Sequence, residues 1–171
     1  MQYPQIQRII GILLMLFSLA MLPSAAVGHY FAEPARNAFL TGFAITLGVG
    51  LLVWLPVRGQ RNELRTRDGY LITVLFWAVL GLFGAVPLYL LDLPDLSVAD
   101  AVFESFSGLT TTGATVITGL DTLPRALLFY RQQLQWFGGM GIIVLAVAIL
   151  PLLGVGGMQL YRAEMPGPLK D

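Results

Sequence analysis

Apolar residues fall into four long blocks along the chain, separated by short polar segments. The blocks cover residues 9–27, 38–57, 70–91 and 127–153. A helix rises about 1.5 Å per residue, so about 20 apolar residues are needed to cross the hydrocarbon of a bilayer. The pattern therefore predicts four transmembrane helices. The first block is also longer than the apolar core of a signal peptide, so we expect it to remain as a span.

A fifth, shorter apolar segment, 98–109, lies between the third and fourth blocks. As a helix it would extend only about 18 Å, which is too short to cross the membrane. Ser97 just before it and Asp100 three residues later have the spacing of a capping box, which marks a helix start. This length is typical of a re-entrant helix that enters and leaves on one side. The predicted fold is an all-α membrane protein with four transmembrane helices, one re-entrant helix and the loop after it.

Residues 110–114 follow the short helix and read Thr-Thr-Thr-Gly-Ala. Non-helical backbone at membrane depth is tolerated only when it is buried in protein or lines a water-filled cavity. Its carbonyl groups need partners, and a dehydrated monovalent cation is one, favoured also by the partial negative charge at a helix carboxyl terminus. Gly113 supplies the dihedral angles that align successive carbonyls. K⁺ filters are built from carbonyl rings around the pattern TVGYG, of which the threonine and the central glycine are present here.

We therefore predict a cation site made by backbone carbonyl groups, with Ala114 flanking it. The residues are Thr110, Thr111, Thr112 and Gly113. A plain outer loop is the alternative.

Polar and small residues near this loop are candidates for its support. Glu104 lies on the short helix, and an ionisable residue at membrane depth is a functional hypothesis by default. It would hold the loop from behind or, alternatively, face the outer water. We expect Arg125 and Arg131 to anchor the fourth span at the interface, with pairing to Asp121 or Glu104 as the alternative. The small residues at 138–141 are expected to pack closely against the loop.

Composition supports a membrane protein and excludes several other classes. The chain is 56% hydrophobic and 12% charged, whereas a soluble domain has about 25% charged residues. The formal net charge is zero, so nothing indicates a nucleic-acid partner. Because the chain has no cysteine, it has no disulfide and no thiolate metal site.

The basic residues predict the orientation. With a cytoplasmic amino terminus, seven of the ten Lys and Arg residues lie inside and three lie outside. The inside set is Arg8, Arg58, Arg61, Arg65, Arg67, Arg162 and Lys170, and the outside set is Arg36, Arg125 and Arg131. This excess follows the positive-inside rule. It places the loop at 110–114 on the outer side.

Two stretches carry a family resemblance. FESFSGLTTTGATVITGLD at 103–121 and the segment from FYRQQLQWFGGMG at 129 to residue 171 closely resemble TrkH-type potassium transporters of the Trk/Ktr/HKT superfamily. Members have an extra helix pair and then four helix–pore-loop–helix repeats around one pore. By this resemblance, 1–57 form the amino-terminal pair, 58–69 a cytoplasmic loop, 70–157 the first repeat, and 158–171 the start of a linker. Within the repeat, 98–109 is the pore helix and 110–114 the filter.

The resemblance implies potassium uptake across the inner membrane by a multi-pass protein embedded in lipid. It implies K⁺ as the transported ion, no cofactor, a homodimer mate and a cytoplasmic nucleotide-binding regulatory subunit. The other three repeats are absent from the 171 residues. We expect a fragment of a longer protein; four short chains around one axis are the alternative.

Two other functions stay in view. The chain could be a non-conducting structural membrane subunit. An intramembrane serine hydrolase would use Ser105 or Ser107, but such chemistry needs a base. The only histidine, His29, lies at the outer end of a different span, so we expect no enzyme. Preference for K⁺ over Na⁺, and channel-like against ion-coupled transport, are left open by the sequence.

Overall fold

The computed structural model describes residues 2–59, 66–92 and 94–152. Over these residues the regular structure is entirely helical, which confirms the predicted all-α class. The α-helices are α1 Tyr3–Ser18, α2 Met21–Tyr30, α3 Ala35–Trp54, α4 Thr66–Tyr89, α5 Val98–Leu109 and α6 Arg125–Leu152. Short 3-10 helices lie at Leu55–Val57 and Leu120–Thr122. The predicted linker at 158–171 and residues 60–65 of the predicted loop at 58–69 lie outside the described residues.

Helices α1 and α2 form one span that is interrupted at residues 19–20. Together they cover Tyr3–Tyr30, 28 residues with a mean hydropathy of 2.3. Pro23 has no amide hydrogen to donate to the carbonyl of Leu19, and its ring crowds that carbonyl. A proline in this position weakens the regular helix in the preceding turn. The predicted block at 9–27 is therefore two helices separated by a turn at residues 19–20.

Three of the four predicted spans are present among the described residues as helices long and apolar enough to cross a membrane. They are Tyr3–Tyr30, Ala35–Val57 and Asp68–Tyr89, with mean hydropathies of 2.3, 2.1 and 2.3. The fourth prediction, 127–153, corresponds to α6, which is helical for 28 residues. Residue 153 itself lies outside the described residues.

Glycines bring the helices together and show which ends are neighbours. A Cβ at Gly11 in α1 would lie 2.8 Å from the Cβ of Trp54, at the far end of α3. A Cβ at Gly42 in α3 would lie 3.0 Å from the Cβ of Pro87, near the end of α4. The start of α3 and the end of α4 therefore lie at one end of the bundle, which we call the loop end.

The start of α6 lies at the same loop end. Its first two amides, from Arg125 and Ala126, donate to the Glu33 carboxylate in the α2–α3 connection at 2.8 and 3.0 Å. A carboxylate is favoured at a helix amino terminus because it meets unpaired amides and the positive end of the helix dipole. The Arg125 guanidinium also lies 4.1 Å above the Phe31 ring. The connection between the first two spans thus fixes where α6 begins.

Helix α5 descends from the loop end and stops midway along its neighbours. A Cβ at Gly81 in α4 would lie 2.5 Å from the nearest atom of the Phe106 ring. A Cβ at Gly138, near the middle of α6, would lie 2.7 Å from the carbonyl carbon of Leu109. The chain after Leu109 then returns to Arg125 at the loop end. Contacts on both sides thus give the re-entrant path that the 12-residue length predicts.

Candidate functional site

Helix α5 ends in a Schellman motif, in which amides of the following loop donate hydrogen bonds to the last turn of the helix. The Thr111 amide donates to the carbonyl of Gly108 at 2.9 Å, and the Thr112 amide donates to that of Ser107 at 2.9 Å. These two bonds define the motif. The other two amides in 110–113 also donate to carbonyls of the last turn of α5. Every N–H group from residue 110 to 113 therefore points back to the helix.

The loop backbone is unusual at Thr111. Its φ is 57°, in the left-handed region, between Thr110 at −82° and the next positive φ at Gly113, 73°. Glycine takes this conformation readily, whereas a β-branched residue there is an outlier. Such strain costs about 1–3 kcal/mol and is typical of functional sites. Threonine occupies a position that a helix end usually gives to glycine.

The carbonyl groups of the loop are without hydrogen-bond donors in the described part of the chain. Among the described residues, none donates a hydrogen bond to the carbonyl oxygens of residues 110–113. Residues 110–116 are exposed in this chain. The Thr110 hydroxyl donates to the Phe106 carbonyl at 2.7 Å and lies 2.8 Å from the Thr112 hydroxyl. The loop thus presents four main-chain oxygens with open lone pairs.

The Glu104 carboxylate lies behind the loop. Its Oε1 accepts hydrogen bonds from the Thr115 hydroxyl at 2.6 Å and the Val116 amide at 2.7 Å. Its Oε2 accepts from Nε of Arg131 at 3.0 Å. The Glu104 side chain is 1% exposed and that of Arg131 is 13% exposed. Glu104 therefore contacts the returning chain and a cation on α6, and does not face outer water.

Arg131 corrects one sequence expectation. We expected interface anchoring for it, with pairing to Glu104 as the alternative, and the structure shows the pair. The reason is that the returning loop brings α6 alongside α5, so that the two charges are buried together. Arg125 lies at the start of α6 over Phe31.

Ala114, which was predicted to flank the site, and the small residues at 138–141 differ in how they contact α5. The Ser107 hydroxyl donates to the Ala114 carbonyl at 2.6 Å. Of the small residues at 138–141, Gly138 packs on Leu109 at the end of α5. A Cβ at Gly139 would meet nothing within 4 Å. Close packing at the loop is thus the property of one glycine and not of the group.

Within the described residues no serine hydrolase arrangement is present. The Ser107 hydroxyl is bonded to a backbone carbonyl, and the buried Ser105 hydroxyl has no described partner. Nδ1 of His29 lies 3.3 Å from Arg36. The same residues contain no group of three or more His, Cys, Asp or Glu side chains placed to hold a metal ion. Among the described residues of the loop, the main-chain oxygens of 110–113 are the acceptor groups that receive no hydrogen bond.

Sequence reasoning gave the pair of Arg131 with Glu104 only as the alternative, and it missed Ser107 as a partner of the loop. The signal available was the spacing of Glu104 and Ser107, which are three residues apart and share one face of α5. That spacing shows a polar face on the helix but does not identify what lies against it.

Comparisons with known proteins agree on one family. The family model TrkH, described as cation transport protein, matches residues 35–171. The chain is 64% identical over all 171 residues to the Trk system potassium uptake protein TrkH of Halomonas elongata, and covers 36% of that protein. It is 61% identical to the TrkH of Vibrio parahaemolyticus, of which it covers 35%. The crystal structure of the potassium transporter TrkH from Vibrio parahaemolyticus has a TM-score of 0.87 at 59% identity, over 92% of this chain and 34% of that one. The chain thus spans about a third of the length of these relatives.

Proposed function

Because this chain belongs to the TrkH family of cation transport proteins, we propose that it serves potassium uptake by providing one of four filter loops around a pore. The observation that carries the proposal is the hydrogen bonding of the backbone at residues 110–113. Their amides all donate to α5, whereas their carbonyls accept from no described donor. A row of open carbonyl oxygens at the end of a short helix is the ligand set that K⁺ filters use.

The ion would exchange part of its water shell for these oxygens. The carbonyls of Thr110, Thr111, Thr112 and Gly113 replace water, and the carboxyl end of α5 adds a favourable potential for a cation. The left-handed Thr111 and Gly113 hold the loop in its turned path. One loop supplies a quarter of a ring, so the other three quarters come from the remaining repeats. The membrane potential drives the cation inward.

The Glu104–Arg131 pair supports the loop without giving the site a net charge. The carboxylate holds the returning limb through Thr115 and Val116. The guanidinium balances the carboxylate, so carbonyl dipoles, and not a buried anion, set the attraction for the ion. Glu104 is therefore a positioning residue for the filter, and Ala114 marks its end.

Orientation, location and partners belong to the same proposal. The excess of basic residues on one side supports a cytoplasmic amino terminus, with the loop end facing outward. The protein lies in the inner (plasma) membrane, as the family resemblance implies. The resemblance also supports a homodimer mate and a cytoplasmic nucleotide-binding regulatory subunit.

Complementation of a strain that lacks potassium uptake tests the proposed role of residues 110–113 as a filter. The graft is a full-length Vibrio parahaemolyticus TrkH in which residues 1–171 of this chain replace the corresponding segment. In a strain that lacks potassium uptake, we expect the graft to restore growth at low K⁺. Gly113→Asp is expected to abolish growth because a carboxylate enters the row of carbonyls. Gly59→Asp is the matched control, since nothing lies within 4 Å of a Cβ there.

Wild-type growth with Gly113→Asp would contradict the filter role. A graft that reaches the membrane in normal amount but restores no growth would favour the alternative, a non-conducting structural subunit. Direct uptake of radioactive rubidium into the same cells separates transport from indirect effects on growth.

A further inference from the structure

The Ala114 carbonyl differs from the four carbonyls that precede it. It accepts a hydrogen bond of 2.6 Å from the Ser107 hydroxyl, whereas those of residues 110–113 accept from no described donor. Ser107 is 7% exposed, so water competes little for this bond. The row of open oxygens therefore stops at Gly113 because a side chain of α5 engages the next one.

Ser107 also fixes the loop through its own backbone. Its carbonyl accepts the amides of Thr112 at 2.9 Å and Gly113 at 3.3 Å. One residue thus orients two amides before the end of the row and the first carbonyl after it. No other described residue bonds to the loop with both its carbonyl and its side chain on these two sides of Gly113.

We propose that Ser107 is a positioning residue that ends the row of ion-facing oxygens at Gly113 by drawing the Ala114 carbonyl toward α5. The inference rests on the proposed filter function and refines it. The number of carbonyl dipoles around an ion is one of the factors that separate K⁺ from Na⁺. Ser107 therefore affects the preference between K⁺ and Na⁺ more than it affects the uptake of ions as such.

The neighbouring anchor makes this separable from folding. Glu104 holds Thr115 and Val116 directly after Ala114. It lies three residues before Ser107 on the same face of α5. When the Ser107 hydroxyl is removed, the returning limb keeps its second attachment, while the peptide of Ala114 gains freedom to turn. We expect an altered site on an intact fold.

The experiment compares serine variants in the graft. Purified grafts in proteoliposomes are assayed for rubidium uptake and for its inhibition by Na⁺. Ser107→Ala is expected to lower the preference for Rb⁺ over Na⁺ by about tenfold, on the scale of one lost hydrogen bond. Ser107→Thr, which keeps the hydroxyl, is expected to restore the preference. Ser105→Ala is the matched control, because Ser105 is fully buried on the same helix and its hydroxyl has no described partner.

A second variant guards against loss of folding. Ser107→Cys keeps nearly the same volume but donates weakly, so an intermediate preference is expected from it. Unchanged preference in Ser107→Ala, or an equal loss in Ser105→Ala, overturns the role of Ser107. An unmodified graft that takes up no rubidium overturns the proposed function, and the Ser107 proposal with it. The two failures are thus told apart by the unmodified graft.

Discussion

A double-mutant cycle on Glu104 and Arg131 tests how the loop is held. The two oxygens of Glu104 have separate tasks, since Oε1 accepts both bonds from the loop and Oε2 accepts the bond from Arg131. Glu104→Gln keeps an oxygen for the loop and turns an amide nitrogen toward the Arg131 donor. Arg131→Met keeps the apolar stem of the side chain and removes its charge. Each single change therefore breaks the ion pair and leaves the loop bonds in place.

The burial of the pair decides the expected size of the effect. An exposed ion pair contributes about 0–1 kcal/mol, whereas breaking a buried pair from one side costs about 3–5 kcal/mol. With side chains that are 1% and 13% exposed, the second figure applies. We expect each single change to lower the free energy of unfolding by about 3 kcal/mol. The double variant leaves no charge unpaired, so its cost should fall short of the sum by about 2 kcal/mol or more.

Denaturant titration of the purified graft in detergent micelles measures these costs, with rubidium uptake on the same preparations. Additive costs, or a loss below about 1 kcal/mol for Glu104→Gln, would refute the assignment of a buried, coupled pair. Glu104→Ala, which also removes the loop acceptor, should be worse than Glu104→Gln in uptake. Equal uptake by those two variants would show that the hydrogen bonds between Glu104 and the loop do not affect uptake.

Four further substitutions address packing and strain. Gly138→Ala places a methyl group 2.7 Å from the carbonyl carbon of Leu109, so we expect overpacking to lower the free energy of unfolding by about 1–3 kcal/mol and to reduce uptake. Gly139→Ala, with nothing within 4 Å of the new Cβ, should change neither stability nor uptake. Equal results for the two variants would contradict the contact between Gly138 and Leu109. Thr111→Gly removes the strain of a left-handed φ of 57° and should therefore raise the melting temperature of the graft. It should also weaken the preference for Rb⁺ over Na⁺, because the loop gains alternative conformations. Ala32→Gly relieves a similar φ of 53° away from the loop and should raise the melting temperature with uptake unchanged; a selectivity loss there would argue against a local effect at Thr111.

Much of the fold follows from the sequence because membrane helices are specified by length and hydropathy. The short length of 98–109 alone predicts a helix that cannot cross, and contacts at Gly81 and Gly138 agree with that. The interruption of the helix before Met21 was missed, although Pro23 gives its local cause. The apolar block continues through this position, so the hydropathy pattern does not show where the helix is interrupted.

The site was only partly predictable. Gly113 is an evident position for an unusual backbone, but a left-handed Thr111 is not, because β-branched residues disfavour that conformation. The bonds of Ser107 and Glu104 depend on the chain turning back along α5, and the pair with Arg131 joins residues 27 positions apart. Such contacts are set by tertiary packing, and local propensity carries no information about them.

The saturated amides at the end of α5 have a consequence for chloride and other anions. Successive amides in a turn of mixed handedness often form a small concave site that binds anions. Here the hydrogens of residues 110–113 are already engaged by the last turn of the helix, so an anion that approaches these residues meets no free amide. Under the proposed function, a single repeat therefore disfavours anions, whereas the choice among cations needs the whole ring.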